Sequence, residues 1–230
     1  MLITILRSAV TLLMLLLPFY TQADGASIAA DKCDGCHALE RPDFADMGIS
    51  ERLQRKAPPL YFAGNKYREQ WLKAWLQNPQ NLHPAGYFPN IAVQSTPEGD
   101  VPAPDGLHEH LVLDAATAAE VTEYLMSLRS HDELIAADNY QAGTVSARMG
   151  MLDFRKFKGC NACHQDAMDE GGFSGPVLFN AWERLQPAFI SSYIQNPVAW
   201  DPNSIMPVAQ MNEQAVHKLV HYLKLTGGEQ

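Results

Sequence analysis

The chain has 230 residues and a formal net charge of −9, with 26 acidic and 17 basic side chains. An acidic balance argues against nucleic acid as a partner, because phosphates are bound by basic patches. It suits instead a protein partner that presents a basic face. The length allows one or two domains, and the chain contains only four cysteines.

The N-terminal segment 1–23 is predicted to be a secretory signal peptide. Arg7 precedes an apolar run from Ala9 to Tyr20, and small or polar residues follow up to Ala23, after which cleavage is expected. A retained membrane anchor is the alternative, but a run of about a dozen apolar residues ended by Pro18 is short for a span that needs ~20. We therefore expect an exported protein with no stable membrane span after cleavage.

All four cysteines lie in two copies of the motif Cys-x-x-Cys-His. The copies are Cys33-Asp-Gly-Cys36-His37 and Cys160-Asn-Ala-Cys163-His164. This spacing is typical of covalent haem attachment, in which two sulfurs form thioether links to the haem and the histidine ligates the iron. A redox disulfide or a zinc site can also use Cys-x-x-Cys, but neither accounts for a histidine after both copies. The motifs predict two covalent haem c groups and, because such haems are attached outside the bacterial inner membrane, a periplasmic location.

The two halves match beyond these motifs. Residues 57–79 align without gaps on 175–197 at a constant offset of 118, which pairs Pro58 with Pro176. Such self-similarity predicts two copies of one module. The predicted division is a first domain at 24–130, a linker at 131–146 and a second domain at 147–230.

Both modules are predicted to be helical, because their apolar residues recur with a helical period and no segment alternates as a strand does. In the second module we expect one helix from Met151 to Lys158, one from Pro187 to Gln195, and a final helix capped by Asn212. The first module repeats the ending with Asp114 as the cap. The predicted fold class is all-α.

Together these features resemble the class I cytochrome c family, specifically its tandem two-haem members. The resemblance covers nearly all of the chain after the signal segment and rests on the two haem motifs, on Met206-Pro207 and on the final helix. It implies two small all-α domains, each wrapped around one haem, with the terminal helices crossing. It also implies that the carbonyl of Pro176, and by the repeat that of Pro58, accepts a hydrogen bond from the imidazole of the haem-ligating histidine.

For the second haem the resemblance implies His164 and Met206 as the two axial ligands. A thioether favours Fe(II) and raises the reduction potential, which suits an electron carrier. Met206 as ordinary core packing is the alternative, and Met211 is the nearest substitute ligand.

The first module departs from the family pattern at the position opposite His37. An offset of 118 places Phe88 where the second module has Met206, and phenylalanine cannot ligate iron. Counting back from the final helix instead places His108 there, with an insertion at about 90–105. The sixth ligand is therefore predicted to be His108.

Alternatives at this position remain open. His110 is a substitute for His108, and Met47 or another distant group would make a second ordinary carrier site. With no side chain bound, the iron would be open to a small ligand. His83 aligns with Asp201 and not with Met206, so it does not occupy the ligand position.

The predicted function is electron relay between respiratory or oxidative redox proteins, without enzymatic activity. The chain shows no catalytic constellation, and the acidic residues Asp166, Asp169 and Glu170 are interpreted as a solvated loop. The alternative is a small haem enzyme of the thiosulfate-oxidising or peroxide-reducing type, with the first haem as its active site.

Overall fold

The computed structural model describes residues 24–87, 92–103, 105 and 107–228. The predicted signal peptide, Phe88 and Pro89 lie outside the described residues. About 46% of the described residues are helical and 8% are in strands.

The first half contains five helices and one hairpin within the described residues, and a sixth helix follows at the junction with the second half. These elements are α1 (Gly25–Lys32), α2 (Ile49–Leu53), α3 (Ala63–Lys66), α4 (Glu69–Gln77), β1 (Val93–Thr96), β2 (Gly99–Pro102), α5 (Ala115–Ser127) and α6 (Asp132–Ala137).

The second half begins with α7 (Ala147–Met151), which continues as a π-helical stretch over Leu152–Phe157. A short 3₁₀ turn at Cys160–Ala162 follows. The remaining elements are β3 (Gln165–Ala167), β4 (Glu170–Gly171), α8 (Ala181–Arg184), α9 (Pro187–Gln195), α10 (Pro197–Trp200) and α11 (Glu213–Thr226).

Helix boundaries agree with the local signals in the sequence. Helix α9 spans the predicted residues, with proline at its start, where a missing N–H costs nothing. The side chain of Asp114 accepts hydrogen bonds from Ala116 and Thr117 at the start of α5, and that of Asn212 accepts one from Ala215 at the start of α11. Both predicted caps are confirmed.

Two short antiparallel hairpins were not predicted. Strands β1 and β2 pair within the insertion, and Gly99 turns the chain there with a φ of 127°, a conformation that glycine adopts without strain. Strands β3 and β4 form the second hairpin directly after Cys163-His164. The expectation that no segment forms a strand is wrong at these places.

In each half the first helix packs closely against the last. A Cβ on Gly25 of α1 would lie 2.0 Å from the carbonyl oxygen of Glu120 in α5. A Cβ on Gly150 of α7 would lie 2.6 Å from the ring of Tyr222 in α11. Glycine is therefore required for the observed approach of both helix pairs.

The junction between the halves has approximate two-fold symmetry. Tyr67 and Leu185, which differ by the repeat offset of 118, form an antiparallel bridge. The N–H of Arg68 donates to the carbonyl of Arg184 at 2.9 Å, and the N–H of Gln186 donates to the carbonyl of Lys66 at 2.9 Å. The two bonds are symmetric counterparts: the first half donates in one of them and the second half donates in the other.

The side chains of Arg68 and Gln186, next to this bridge, also form a symmetric pair of hydrogen bonds between the halves. Arg68 Nε donates to the carbonyl of Leu185 at 3.0 Å, and Gln186 Nε2 donates to the carbonyl of Tyr67 at 2.9 Å. Buried aromatic rings extend the contact: Phe62 lies 5.5 Å from Trp200 between ring centres. Because apolar side chains of both halves belong to one continuous buried cluster, the halves share a core.

The predicted linker packs against both halves. The N–H of His131 donates to Asn65 in the first half at 3.2 Å, and the ring of His131 lies 3.2 Å from the carbonyl of Trp200 in the second. Gln195 donates to Asp138 at 3.1 Å. None of the described helices is long and apolar enough to cross a membrane.

Candidate functional site

The first Cys-x-x-Cys-His motif folds as a tight turn at the end of α1. The N–H groups of Cys36 and His37 donate to the carbonyl of Cys33 at 3.0 and 2.9 Å. Cys33 is half-buried and packs against the core, whereas Cys36 is exposed. This turn holds both sulfurs and the imidazole on one short segment.

The second motif folds in the same way. The N–H groups of Cys163 and His164 donate to the carbonyl of Cys160 at 3.2 and 3.0 Å. Cys160 is again half-buried and Cys163 exposed. The two motifs are therefore equivalent in backbone geometry as well as in sequence.

Both histidines are oriented by a proline carbonyl. His37 Nδ1 lies 2.7 Å from the carbonyl oxygen of Pro58, and His164 Nδ1 lies 2.8 Å from that of Pro176. With Nδ1–H as the donor, Nε2 carries the free lone pair that a metal ion binds. Burial lowers the pKa of both imidazoles, which favours the neutral form that ligates metals.

The segment before Pro176 approaches His164 closely. A Cβ on Gly175 would lie 2.6 Å from Cε1 of His164. The missing side chain allows the following carbonyl to reach the ring nitrogen.

The cysteines do not have the electrostatics of a reactive pair. Burial raises the pKa of the Cys33 and Cys160 thiols, whereas a redox-active cysteine has a lowered pKa. No disulfide bond joins any of the four cysteines. Among the described residues, no three His, Cys, Asp or Glu side chains converge as the ligands of a metal ion.

A buried cation, Arg184, lies at the end of α8 and contacts the segment that follows Pro176. It is 3% exposed, and within the described residues its hydrogen bonds go to neutral acceptors, namely Asn180 Oδ1 and the carbonyl of Val177. Burial lowers its pKa to about 10. A buried guanidinium with neutral acceptors would be stabilised by an added anionic group.

Met206 lies in a loop that packs against the buried cluster. The N–H of Met206 donates to Ser204 Oγ at 3.3 Å, and that hydroxyl lies 3.0 Å from the hydroxyl of Tyr193 in α9. Met211 also packs against the cluster. The loop is thus held by α9, and the ligand assignment of Met206 stays a prediction.

The structure brings His110, rather than His108, to His37. The ring centres of His37 and His110 are 6.2 Å apart, and Trp75 of α4 contacts His110 at 4.5 Å between ring centres. Both histidines are exposed, and the segment between the hairpin and α5 has no regular secondary structure. His108 as the sixth ligand stays a prediction.

The other alternative ligands lie at the junction between the halves. The sulfur of Met47 accepts a hydrogen bond from Asn203 at 3.5 Å. His83 contacts Tyr87, and its electrostatic neighbours include His164 of the second half rather than His37. Burial and the nearby Lys66 and Arg184 lower the pKa of His83 to about 3.

An ion pair joins the halves beside the first motif. Arg55 Nη1 lies 2.6 Å from Asp201 Oδ2, and Arg55 Nη2 donates to the carbonyl of Asn203 at 2.8 Å. Both ionic side chains are largely buried, with 15% and 5% of their surface exposed. No local pattern marks this pair, because its members are 146 residues apart.

Asp166 is a buried residue, so its interpretation as part of a solvated loop is wrong. It is 3% exposed and accepts hydrogen bonds from Arg155 Nε to both carboxylate oxygens, at 3.1 and 2.9 Å. It also accepts one from the Tyr222 hydroxyl at 2.6 Å. Glu170 is exposed but contacts the same arginine at 2.7 Å.

Comparisons of the chain with protein-family models, with curated proteins and with solved structures find no match.

Proposed function

We propose that the protein is a periplasmic dihaem c-type cytochrome that relays electrons between redox proteins. One haem c belongs to Cys33, Cys36 and His37. The other belongs to Cys160, Cys163 and His164. The proposal makes the chain an electron carrier rather than an enzyme.

The equivalence of the two histidines carries this proposal. Each imidazole follows a cysteine pair on the same tight turn, directs Nδ1 at a proline carbonyl and leaves Nε2 free. A hydrogen bond from the ring nitrogen that does not bind the metal fixes the ring and raises its basicity as a ligand. A zinc site or a redox disulfide does not require this arrangement to occur twice.

The cysteines would attach the haem without a change of oxidation state. Each thiol would add across one haem vinyl group, with a new carbon–sulfur bond on one carbon and the thiol proton on the other. Burial raises the pKa of the Cys33 and Cys160 thiols, which disfavours the thiolate that disulfide exchange requires.

When bound, a haem supplies a one-electron couple at its iron. His37 and His164 would hold the metal, and the proline carbonyls would keep their rings in place. Arg184 would neutralise a haem carboxylate, which explains a buried guanidinium whose acceptors are neutral. Met206 would supply the second ligand in the second half, where a thioether raises the potential.

The net charge of −9 suits partners with a basic docking face, because opposite charges steer encounters between proteins. Such a partner would be a redox protein on either side of the relay.

The test is haem stoichiometry in protein produced with the c-type haem attachment machinery. We expect two thioether-linked haems per chain in the reduced pyridine haemochrome assay. The double variants Cys33→Ala/Cys36→Ala and Cys160→Ala/Cys163→Ala each retain one. The proposal would be contradicted if the wild-type protein carried no covalent haem. It would also be contradicted if both double variants carried as many haems as the wild type.

A further inference from the structure

His110 is the second histidine of the first half that lies near His37. We infer that His110 is the axial ligand opposite His37 on the first haem, an inference that rests on the dihaem proposal. It replaces His108 in that role and closes the first iron to small ligands.

The spacing of the rings fits two ligands on opposite sides of one metal ion. A metal–imidazole bond is about 2 Å long and the ring centre lies about 1 Å behind the bonding nitrogen, so opposed rings have centres roughly 6 Å apart. The centres of His37 and His110 are 6.2 Å apart.

A backbone carbonyl also lies next to Nδ1 of His110. His110 Nδ1 lies 2.8 Å from the carbonyl of Leu111, just as His37 Nδ1 lies 2.7 Å from that of Pro58. With both Nδ1 atoms bonded to backbone carbonyls, both Nε2 atoms are free to ligate.

The backbone around His110 is fixed to α4. The N–H of Leu113 donates to the carbonyl of Leu76 at 2.9 Å, which holds the segment before α5 beside the end of α4. Trp75, one residue before Leu76, then packs edge-on against the imidazole. His110 is itself exposed, and these two contacts hold its segment beside α4.

The alternative ligands are placed elsewhere. The ring contact with His37 is made by His110 and not by His108, Met47 accepts a hydrogen bond from Asn203 of the second half, and His83 lies in the electrostatic environment of His164. A bis-histidine first haem has a lower reduction potential than a histidine–methionine haem. Electrons would therefore pass within the protein from the first haem to the second.

The experiment compares His110→Ala with the matched variant His108→Ala in the full-length, haem-loaded protein. Electron paramagnetic resonance of the oxidised protein reports spin state, and carbon monoxide binding to the reduced protein reports an open iron. We expect wild type and His108→Ala to have two low-spin haems that do not bind carbon monoxide. His110→Ala is expected to convert one haem equivalent to a high-spin form that binds it.

A second variant keeps the test valid if alanine disturbs the loop. His110→Met offers a sulfur ligand from the same position and should raise the potential of the first haem while adding a methionine–iron charge-transfer band. A change of spin state in His108→Ala and not in His110→Ala would overturn the inference, as would carbon monoxide binding by the wild type. The haemochrome assay tests the dihaem proposal separately, because that proposal predicts the number of haems and the inference about His110 does not. Two haems per chain together with an unaffected spin state in His110→Ala would overturn only the inference.

Discussion

Asp166 links three parts of the second half through one carboxylate. Arg155 lies in the stretch before the second motif, Asp166 follows that motif, and Tyr222 belongs to α11. A hydrogen bond to an ionised group contributes about 1.5–3 kcal/mol, and its loss is larger when a buried charge is left with fewer partners. This group therefore fixes the turn that carries His164 to the last helix.

Replacing Tyr222 by phenylalanine tests this linkage. At pH 7 we expect Tyr222→Phe to lose about 1.5–3 kcal/mol of unfolding free energy, because Asp166 loses its hydroxyl donor. Burial and Asp166 raise the pKa of Tyr222, so its stabilising effect is present below the unfolded tyrosine pKa of about 10 and is lost as the pH rises above it. The variant should therefore lose stability less steeply than wild type above about pH 10, as measured by guanidinium unfolding at several pH values.

The matched control is Tyr124→Phe in α5, at the equivalent position of the first half. Its hydroxyl makes no hydrogen bond within the described residues, so little change is expected at either pH. Equal losses in the two variants would show that Asp166 does not depend on Tyr222.

At the scale of single residues, local chemistry was predictable and distant partners were not. The motif cysteines and histidines and their proline partners follow from spacing and from the repeat. The burial of Asp166 was not predictable in this way, because its neighbours in the sequence are polar and its hydrogen-bond partners are 11 and 56 residues away. His110 required the path of the chain after the hairpin, which no periodicity describes.

The pairs of first and last helices are the elements that frame each motif. Helix α1 leads directly into Cys33, and α7 with its π-helical extension leads toward Cys160. Each first helix contacts its last helix at a glycine. The distance between the helices in each pair therefore depends on one missing side chain.

Alanine at these glycines should destabilise the protein despite its higher helix propensity. A Cβ at Gly25 would meet a backbone carbonyl of α5, which cannot rotate away, and one at Gly150 would meet the Tyr222 ring. Overpacking of this kind costs about 1–3 kcal/mol, against at most about 1 kcal/mol gained from propensity. Thermal unfolding followed by circular dichroism should show a lower midpoint for Gly25→Ala and Gly150→Ala.

Gly35→Ala is the control. No atom lies within 4 Å of a Cβ placed there, and the second motif already has Ala162 at this position. Its midpoint should match that of wild type. If Gly25→Ala were as stable as this control, the close approach of α1 and α5 would be incorrect.

Among the elements, capped helices were predicted more accurately than hairpins. Asp114 and Asn212 are strong local signals, and both helices begin after them. The segment with β1 and β2 is rich in proline, glycine and acidic residues, which favour loops by composition. Its strands are four residues each and pair only with one another, so no buried face imposes an alternating pattern.

The whole molecule is held together by contacts that no single half possesses. The ion pair of Arg55 with Asp201 crosses the junction in a largely buried position. Breaking a buried pair is costly because the remaining charge is left without a partner. The stability of each half is therefore linked to that of the other.

Asp201→Asn should lower the free energy of unfolding by about 3 kcal/mol, because Arg55 then remains buried without a counter-charge. The double variant Arg55→Leu/Asp201→Leu should recover part of this loss, since both charges are removed together. Asp31→Asn serves as the control, because its pair with Lys32 is exposed and within one half. Equal stability of Asp201→Asn and the control would contradict the role of the ion pair.

The bridge between Tyr67 and Leu185 has a consequence for the origin of the chain. A contact that pairs the same position of two repeats is isologous, which is the form of interface found in a two-fold homodimer. A single ancestral module able to dimerise would have this junction already, and gene duplication with fusion would retain it without a new surface. Fusion would also free the two copies to mutate separately. One copy could then gain the hairpin insertion and His110 while the other retained Met206.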